Sequence, residues 1–152
     1  MSSLLMIHSL LRWVALILLL VATAQAWRGW LGKQAWTDGH KRLGLFTMIS
    51  FDVQLLVGLM VFAASDLVKL AMSNMGEAMR NPALRFFTVE HTSMMVAAIA
   101  LVHIGFAKAK RGTDDAQRFK TLAIFFTLAL VAVVAAIPWP FRAAIQRGLL
   151  PF

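Results

Sequence analysis

The chain has no cysteine and no tyrosine, and only seven acidic residues against fifteen Lys and Arg. Without cysteine there is no disulfide, no thiolate zinc site, no iron–sulfur cluster and no covalently attached c-type haem. The shortage of acid leaves a formal net charge of +8. In a soluble protein that charge would raise nucleic-acid binding. Here most cations sit in short connections between apolar runs, where they set topology and attract anionic headgroups, so lipid is the expected partner and nucleic acid is not. There is also no Walker loop, dinucleotide fingerprint, nucleophile elbow or HExxH motif.

What is abundant is apolar. Hydrophobic residues make up 60% of the 152, with 11 Phe and 5 Trp, and mean hydropathy is +0.73. A soluble domain is nearer half apolar. Four runs stand out, at about 4–27, 43–64, 86–107 and 119–137. Each is about 19–24 residues, close to the ~20 that cross a ~30 Å hydrocarbon core as a helix. None alternates apolar and polar as a barrel strand would. Short connections favour antiparallel neighbours. The expectation is an all-α transmembrane four-helix up-down-up-down bundle, one membrane domain over residues 1–152.

Polar punctuation marks the ends. Thr37-Asp38-Gly39, Asn81-Pro82 and Gly112-Thr113-Asp114-Asp115 are turn and cap sequences. Pro138-Trp139-Pro140-Phe141 closes the fourth run at an interface, with Trp27, Trp30 and Trp36 as a belt at the other. The segment of about 66–80 places Leu67, Leu70, Ala71, Met75 and Met79 roughly on one helical face and is expected to lie in the interface. Methionine there is ordinary apolar filler ahead of a copper site. Gly44, Gly58 and Gly105 are expected as close-packing points.

Orientation follows from the cations. Arg28, Lys33, Lys41, Arg42, Lys108, Lys110, Arg111, Arg118 and Lys120 fall on one side. Lys69, Arg80, Arg85, Arg142 and Arg147 fall on the other. The positive-inside rule makes the first side cytoplasmic and puts both termini on the periplasmic side of a bacterial inner membrane. Ala24-Gln25-Ala26 resembles a signal-peptidase site, but Arg12 is the only preceding cation and comes late. The segment is expected to be retained as the first span.

Ionisable groups inside a membrane are costly, so each asks for a reason. His8 and His91 fall at matched depths, about 6–8 Å below the outer face at 1.5 Å per residue. Two imidazoles from separate helices at one level are what a b-type haem needs as axial ligands. The alternative is that they are interhelical hydrogen-bond partners or proton-handling groups. Arg85 and Arg80 lie near the headgroups, where they could meet haem propionates. Arg12, one turn deeper than His8, is expected to pair with Glu90, which could instead hold the second nitrogen of a ligand histidine. His40 and His103 make a poorer second pair, because their depths differ and His103 is turned about 120° from His91. Asp52, with Gln54 and Ser50, reads as a proton relay or the polar end of a quinone pocket. Its alternative is an interhelical hydrogen bond, or partnership with Arg12.

The segments Ile7-His8-Ser9-Leu10-Leu11-Arg12, Thr37-Asp38-Gly39-His40-Lys41, Arg85-Phe86-Phe87-Thr88-Val89-Glu90-His91 and Ile137-Pro138-Trp139-Pro140-Phe141 resemble a family of small four-span bacterial membrane proteins, the cytochrome b-like family. The resemblance touches all four runs. It implies a haem b electron carrier, or a respiratory accessory protein. The expected function is therefore electron transfer between a quinol and another redox partner, with one haem b and a second as candidate. Other membrane subunits or self-association are the expected company. The alternatives are a cofactor-free structural or assembly subunit of a larger membrane complex and, with less behind it, a proton-coupled transporter centred on Asp52.

Overall fold

The computed structural model describes residues 2–142 and 145; Arg147, counted above among the outer cations, lies outside the described residues. The described residues are helical, with no strand among them. Four helices are long and apolar enough to cross a membrane: Ser3–Leu31, Asp38–Ala64, Pro82–Lys110 and Asp115–Ala136. They are called here the first to fourth spans. Two short helices, Asp66–Ser73 and Met75–Ala78, connect the second to the third.

The helices outrun the hydrophobic stretches by about one turn at most ends. Hydropathy marks the stretch that suits hydrocarbon, whereas a helix continues until its terminal N–H and C=O groups find other partners. Those partners are the cap residues read from sequence. Asn81 Oδ1 accepts from the N–H groups of Ala83 and Leu84 at 3.0 and 3.1 Å, with Pro82 as the first helical residue. Asp114 Oδ1 accepts from Gln117 N–H at 2.8 Å. At the start of the second span the Thr37 N–H donates to His40 Nδ1 at 3.2 Å.

The spans meet around small residues. Ala22, Ala26, Ala98, Ala109, Ala123 and Ala129 are buried with Leu19, Val102, Phe106 and Phe126 in one cluster. Without water or a hydrophobic drive between helices in lipid, close approach and dispersion hold such a bundle, and small side chains allow it. Gly44 faces the Phe106 ring, Gly105 faces Phe125 and Gly58 faces His8, so all three are packing points, as their positions suggested. Polar ties add register. Trp27 Nε1 donates to Thr127 Oγ1 at 2.9 Å, and Thr47 Oγ1 sits 3.4 Å from the Leu18 carbonyl. At the same end, Trp36 packs on Phe119 at 4.9 Å between centroids and Lys120 lies over Trp30. The second and third spans share the loosest of the four lateral seams.

The connecting helices differ from the sequence expectation. Val68, Ala71 and Ala78 are buried while Leu70, Met72 and Met75 are exposed. Asn74 interrupts the run by accepting from Glu77 N–H at 3.2 Å and starting a new turn. The apolar period therefore does not carry through, and the face read from Leu67 to Met79 is split between two helices.

The third span is not uniform. Residues Phe86–Glu90 form one π-helical turn, and a regular α-helix resumes at His91. Such an insertion widens the helix by one residue and is frequent at functional sites.

Candidate functional site

The first and third spans lie diagonally across the bundle and make little direct backbone contact. Their histidines nevertheless meet. The ring centroids of His8 and His91 are 6.3 Å apart, with the ring planes at 71°.

Each ring has its orientation set by a neighbouring span. His91 Nδ1 lies 2.8 Å from the carbonyl oxygen of Ala136, near the end of the fourth span. A carbonyl only accepts, so Nδ1 carries the hydrogen and, in a neutral ring, Nε2 carries the lone pair. His8 is held from the second span. Gln54 Nε2 donates to the His8 backbone carbonyl at 3.0 Å and lies 3.3 and 3.4 Å from the two ring nitrogens. One turn further along, Gly58 leaves room for the ring: a Cβ there would stand 3.1 Å from His8 Cε1. Gln54 is 9% exposed, and its Oε1 is a buried acceptor with no hydrogen bond among the described residues.

Both imidazoles border a cavity of about 160 Å³. Its walls come from the first three spans, from Ser65, Leu67 and Val68 of the connection, and from Pro138 beyond the fourth span. Leu55, Leu59, Phe62, Phe87, Met95 and Val96 make it mainly apolar, while Ser9, Arg12, Gln54 and Thr92 supply polar groups. The cavity is not fully closed. Its enclosed part is smaller than the roughly 300–1,000 Å³ of most ligand pockets.

The charged residues expected around the histidines sort differently. Glu90 takes Arg85 as its ion partner, Nε to Oε1 at 2.6 Å, where the sequence had offered Arg12. The two are five residues apart, a spacing that faces away on an α-helix but comes together across a π turn. Arg85 also donates through Nη1 to the Met79 carbonyl at 3.1 Å. Arg12 lines the cavity, with its guanidinium 5.3 Å from the Trp13 ring centroid. Arg80 sits apart, in a surface depression with Asn74, Glu77 and Asn81.

The candidate second pair is not brought together. His40 Nδ1 serves the N-terminus of the second span, and its ring packs on Trp36 and Phe119. His103 Nε2 instead meets Asp52 Oδ1 at 3.1 Å. Asp52 lies twelve residues beyond His40, roughly 18 Å along the second span. That separation is too great for a shared metal ion. Gln54 and Ser50 are also not partners of Asp52: Gln54 turns inward to His8, and Ser50 donates to the Thr47 carbonyl at 2.7 Å.

Sequence reasoning missed three contributors to the His8–His91 site. Gln54 had been grouped with Asp52 because of its neutral polarity, yet two residues along a helix turn a side chain about 200°. Gly58 was seen as a packing point without its partner. Ala136 contributes only a carbonyl, which has no side-chain signature. Outside the cavity lining, Arg142, counted only for topology in the sequence, has its guanidinium 5.4 Å from the Phe86 centroid.

No protein-family model, curated protein or solved structure matches the chain.

Proposed function

We propose that the chain is a b-type cytochrome of the bacterial inner membrane, holding one haem b between His8 and His91 and carrying electrons between a quinol and another redox partner. On this reading the four spans run up-down-up-down with both ends periplasmic. Pairings such as Gln54 with His8, Thr47 with Leu18 and His91 with Ala136 support antiparallel neighbours.

One observation carries the haem reading, the spacing of the two rings. An imidazole bound through nitrogen at roughly 2.0–2.1 Å has its centroid roughly 3.1–3.2 Å from the metal, so two on opposite sides of one ion stand roughly 6.2–6.4 Å apart. The rings of His8 and His91 are 6.3 Å apart. The donor set fits as well. The Ala136 carbonyl fixes the His91 tautomer in the way that orients metal-bound histidines generally. The walls are mainly apolar, as a porphyrin needs, the 160 Å³ enclosed between them would have to widen to admit one, and Arg12 is the cation on the cavity wall suited to a propionate.

When bound, the haem would supply one-electron chemistry at a potential set by its axial ligands and surroundings. The chain's own residues would fix the ligands. Gln54 holds the His8 backbone, Gly58 clears its ring and Ala136 orients His91.

The test is absorption of protein purified from cells with ample haem. Wild type should show a Soret band and a reduced α band near ~560 nm, the usual region for bis-imidazole haem. His8→Ala and His91→Ala should each lose the low-spin spectrum. A colourless wild type, or pigment that survives both substitutions, refutes the ligand assignment. A colourless chain that co-purifies with a large respiratory assembly would instead be a structural subunit.

A further inference from the structure

Outside the His8–His91 cavity, one pair of ionisable side chains joins two spans among the described residues. Asp52 and His103 join the second and third spans inside their apolar stretches, and they do so on the outside of the bundle. Their side chains are 44% and 40% exposed. Along the second span Asp52 shares its stripe with exposed Leu45, Ile49 and Leu56. Along the third span, exposed Ala100 and Ala107 flank His103 one turn to either side and leave its edge uncovered by bulk. In a bilayer this outer face meets acyl chains rather than water, where no solvent can satisfy a polar atom that lacks a partner.

The hydrogen count shows which atom is left over. His103 Nδ1 is 2.9 Å from the Ile99 carbonyl, so it must donate. His103 Nε2 and Asp52 Oδ1, 3.1 Å apart, then share one hydrogen between them. Both ring nitrogens are now engaged. Asp52 Oδ2 has no hydrogen-bond partner among the described residues, and with the shared hydrogen on Nε2 or Oδ1 it can only accept. The seam thus presents a hydrogen-bond acceptor to the hydrocarbon, with Ile49 and Leu56 on the second-span side and Ala100 and Ala107 on the third-span side.

We propose that the Asp52–His103 pair is a bilayer-facing site for the headgroup of a lipid-soluble hydroquinone, whose ring hydroxyl donates to Asp52 Oδ2. The donor–acceptor inventory gives the site a sense. A hydroquinone carries hydroxyl donors, whereas the oxidised quinone carries only carbonyl acceptors and would face acceptor with acceptor. The site therefore selects the reduced form. It lies on the same span as Gln54 but on the opposite side, so it is distinct from the histidine cavity. The inference names where the quinol of the proposed electron carrier docks, yet binding itself does not require haem.

The test uses the full chain in lipid nanodiscs, with tritiated decylubiquinol under reducing anaerobic conditions and decylubiquinone under air. Binding is measured above that of empty discs. Wild type should bind the hydroquinone about tenfold or more tightly than the quinone, the difference that one hydrogen bond to a charged or strongly polar acceptor makes. Asp52→Asn should lose most of that preference, and Ser50→Ala should keep it. Should Asp52→Asn fail to fold by circular dichroism, His103→Gln, which removes the imidazole that holds the carboxylate, replaces it. Equal binding of the two redox forms by wild type, or the full preference retained in a folded variant, overturns the proposal. So does a wild-type dimer that becomes monomeric in Asp52→Asn without any hydroquinone binding, since a second copy then covers the pair. The Soret band is read on the same samples: its absence with the preference intact removes the haem reading alone.

Discussion

Replacing Gly58 by alanine separates a histidine held by a metal from one that merely packs. A Cβ at position 58 would stand 3.1 Å from His8 Cε1 and 3.6 Å from Nδ1. Carbon atoms rest at roughly 3.5–4.0 Å, so the ring must retreat by about 0.4 Å. The backbone cannot give easily, because Gln54 ties the His8 carbonyl at 3.0 Å, and the ring must turn instead. In the apo chain that turn is cheap. Gly58 lies inside the second span, where alanine is the better helix former by about 0.8–1 kcal/mol, so apo stability should hold or rise slightly. Were haem bound as proposed, the ring would be fixed at both ends, and overpacking of this size would cost about 1–3 kcal/mol. Haem affinity should then fall by about 5- to 150-fold. The assay is haem titration of the apo-protein followed at the Soret band, beside unfolding of the apo form in mixed micelles. Unchanged haem affinity with unchanged apo stability would refute the placement of Gly58 against a ligand ring.

Two contacts away from the cavity give further checks. Trp27→Phe removes the hydrogen bond to Thr127 Oγ1 and should cost about 1 kcal/mol, as should Thr127→Val; in a double-mutant cycle the two losses should not add, and full additivity would mean that the bond does not form. Arg85 and Glu90 pair at 2.6 Å, but their side chains are 43% and 40% exposed, so screening should limit their coupling to under about 1 kcal/mol. Arg85→Gln should cost more than Glu90→Gln, since it also loses the Met79 carbonyl; equal costs in unfolding experiments would count against that second bond.

The scaffold was readable because its causes are local. Spans of about twenty apolar residues, the cap residues Asn81 and Asp114, and glycines at crossing points depend on composition within a turn or two. Even the depth match of His8 and His91 needs only a residue count from each helix end. What stayed hidden depends on rotation about the helix axes. The expectation that Glu90 answers Arg12 used depth alone, and depth is blind to azimuth. Gln54 and Asp52 are two residues apart and face opposite sides, which a list of polar residues by depth cannot register. The His91–Ala136 bond was out of reach for another reason, since a backbone carbonyl near a helix end looks the same in every sequence.

The π turn explains how one helix serves two different sites. Phe86 and Ala98 are both fully buried, yet twelve residues on a straight α-helix would leave them about 120° apart. One extra residue in the turn 86–90 removes about 100° of that, and the two fall on one stripe. Side-chain contacts agree: Phe86 touches His91 at 6.0 Å between centroids, and Arg85 reaches Glu90, both across five residues. On a regular helix such pairs would point about 140° apart. Beyond the turn the α-helix is regular, so Ala98, seven residues from His91, stays within about 20° of it. His91 is thereby carried inward toward His8. His103, twelve residues further along the same regular stretch, is swung about 120° away and meets Asp52 on the outer face. Because the phase of the α segment is set at its buried stripe, the extra residue lets Phe86 close over the same side on which His91 points, while the Arg85–Glu90 pair, one residue behind, lies about 100° around the helix and stays half-exposed. The histidine cavity and the outward-facing Asp52–His103 pair are thus two azimuths of one helix, and the bulge aligns only the first of them with Phe86.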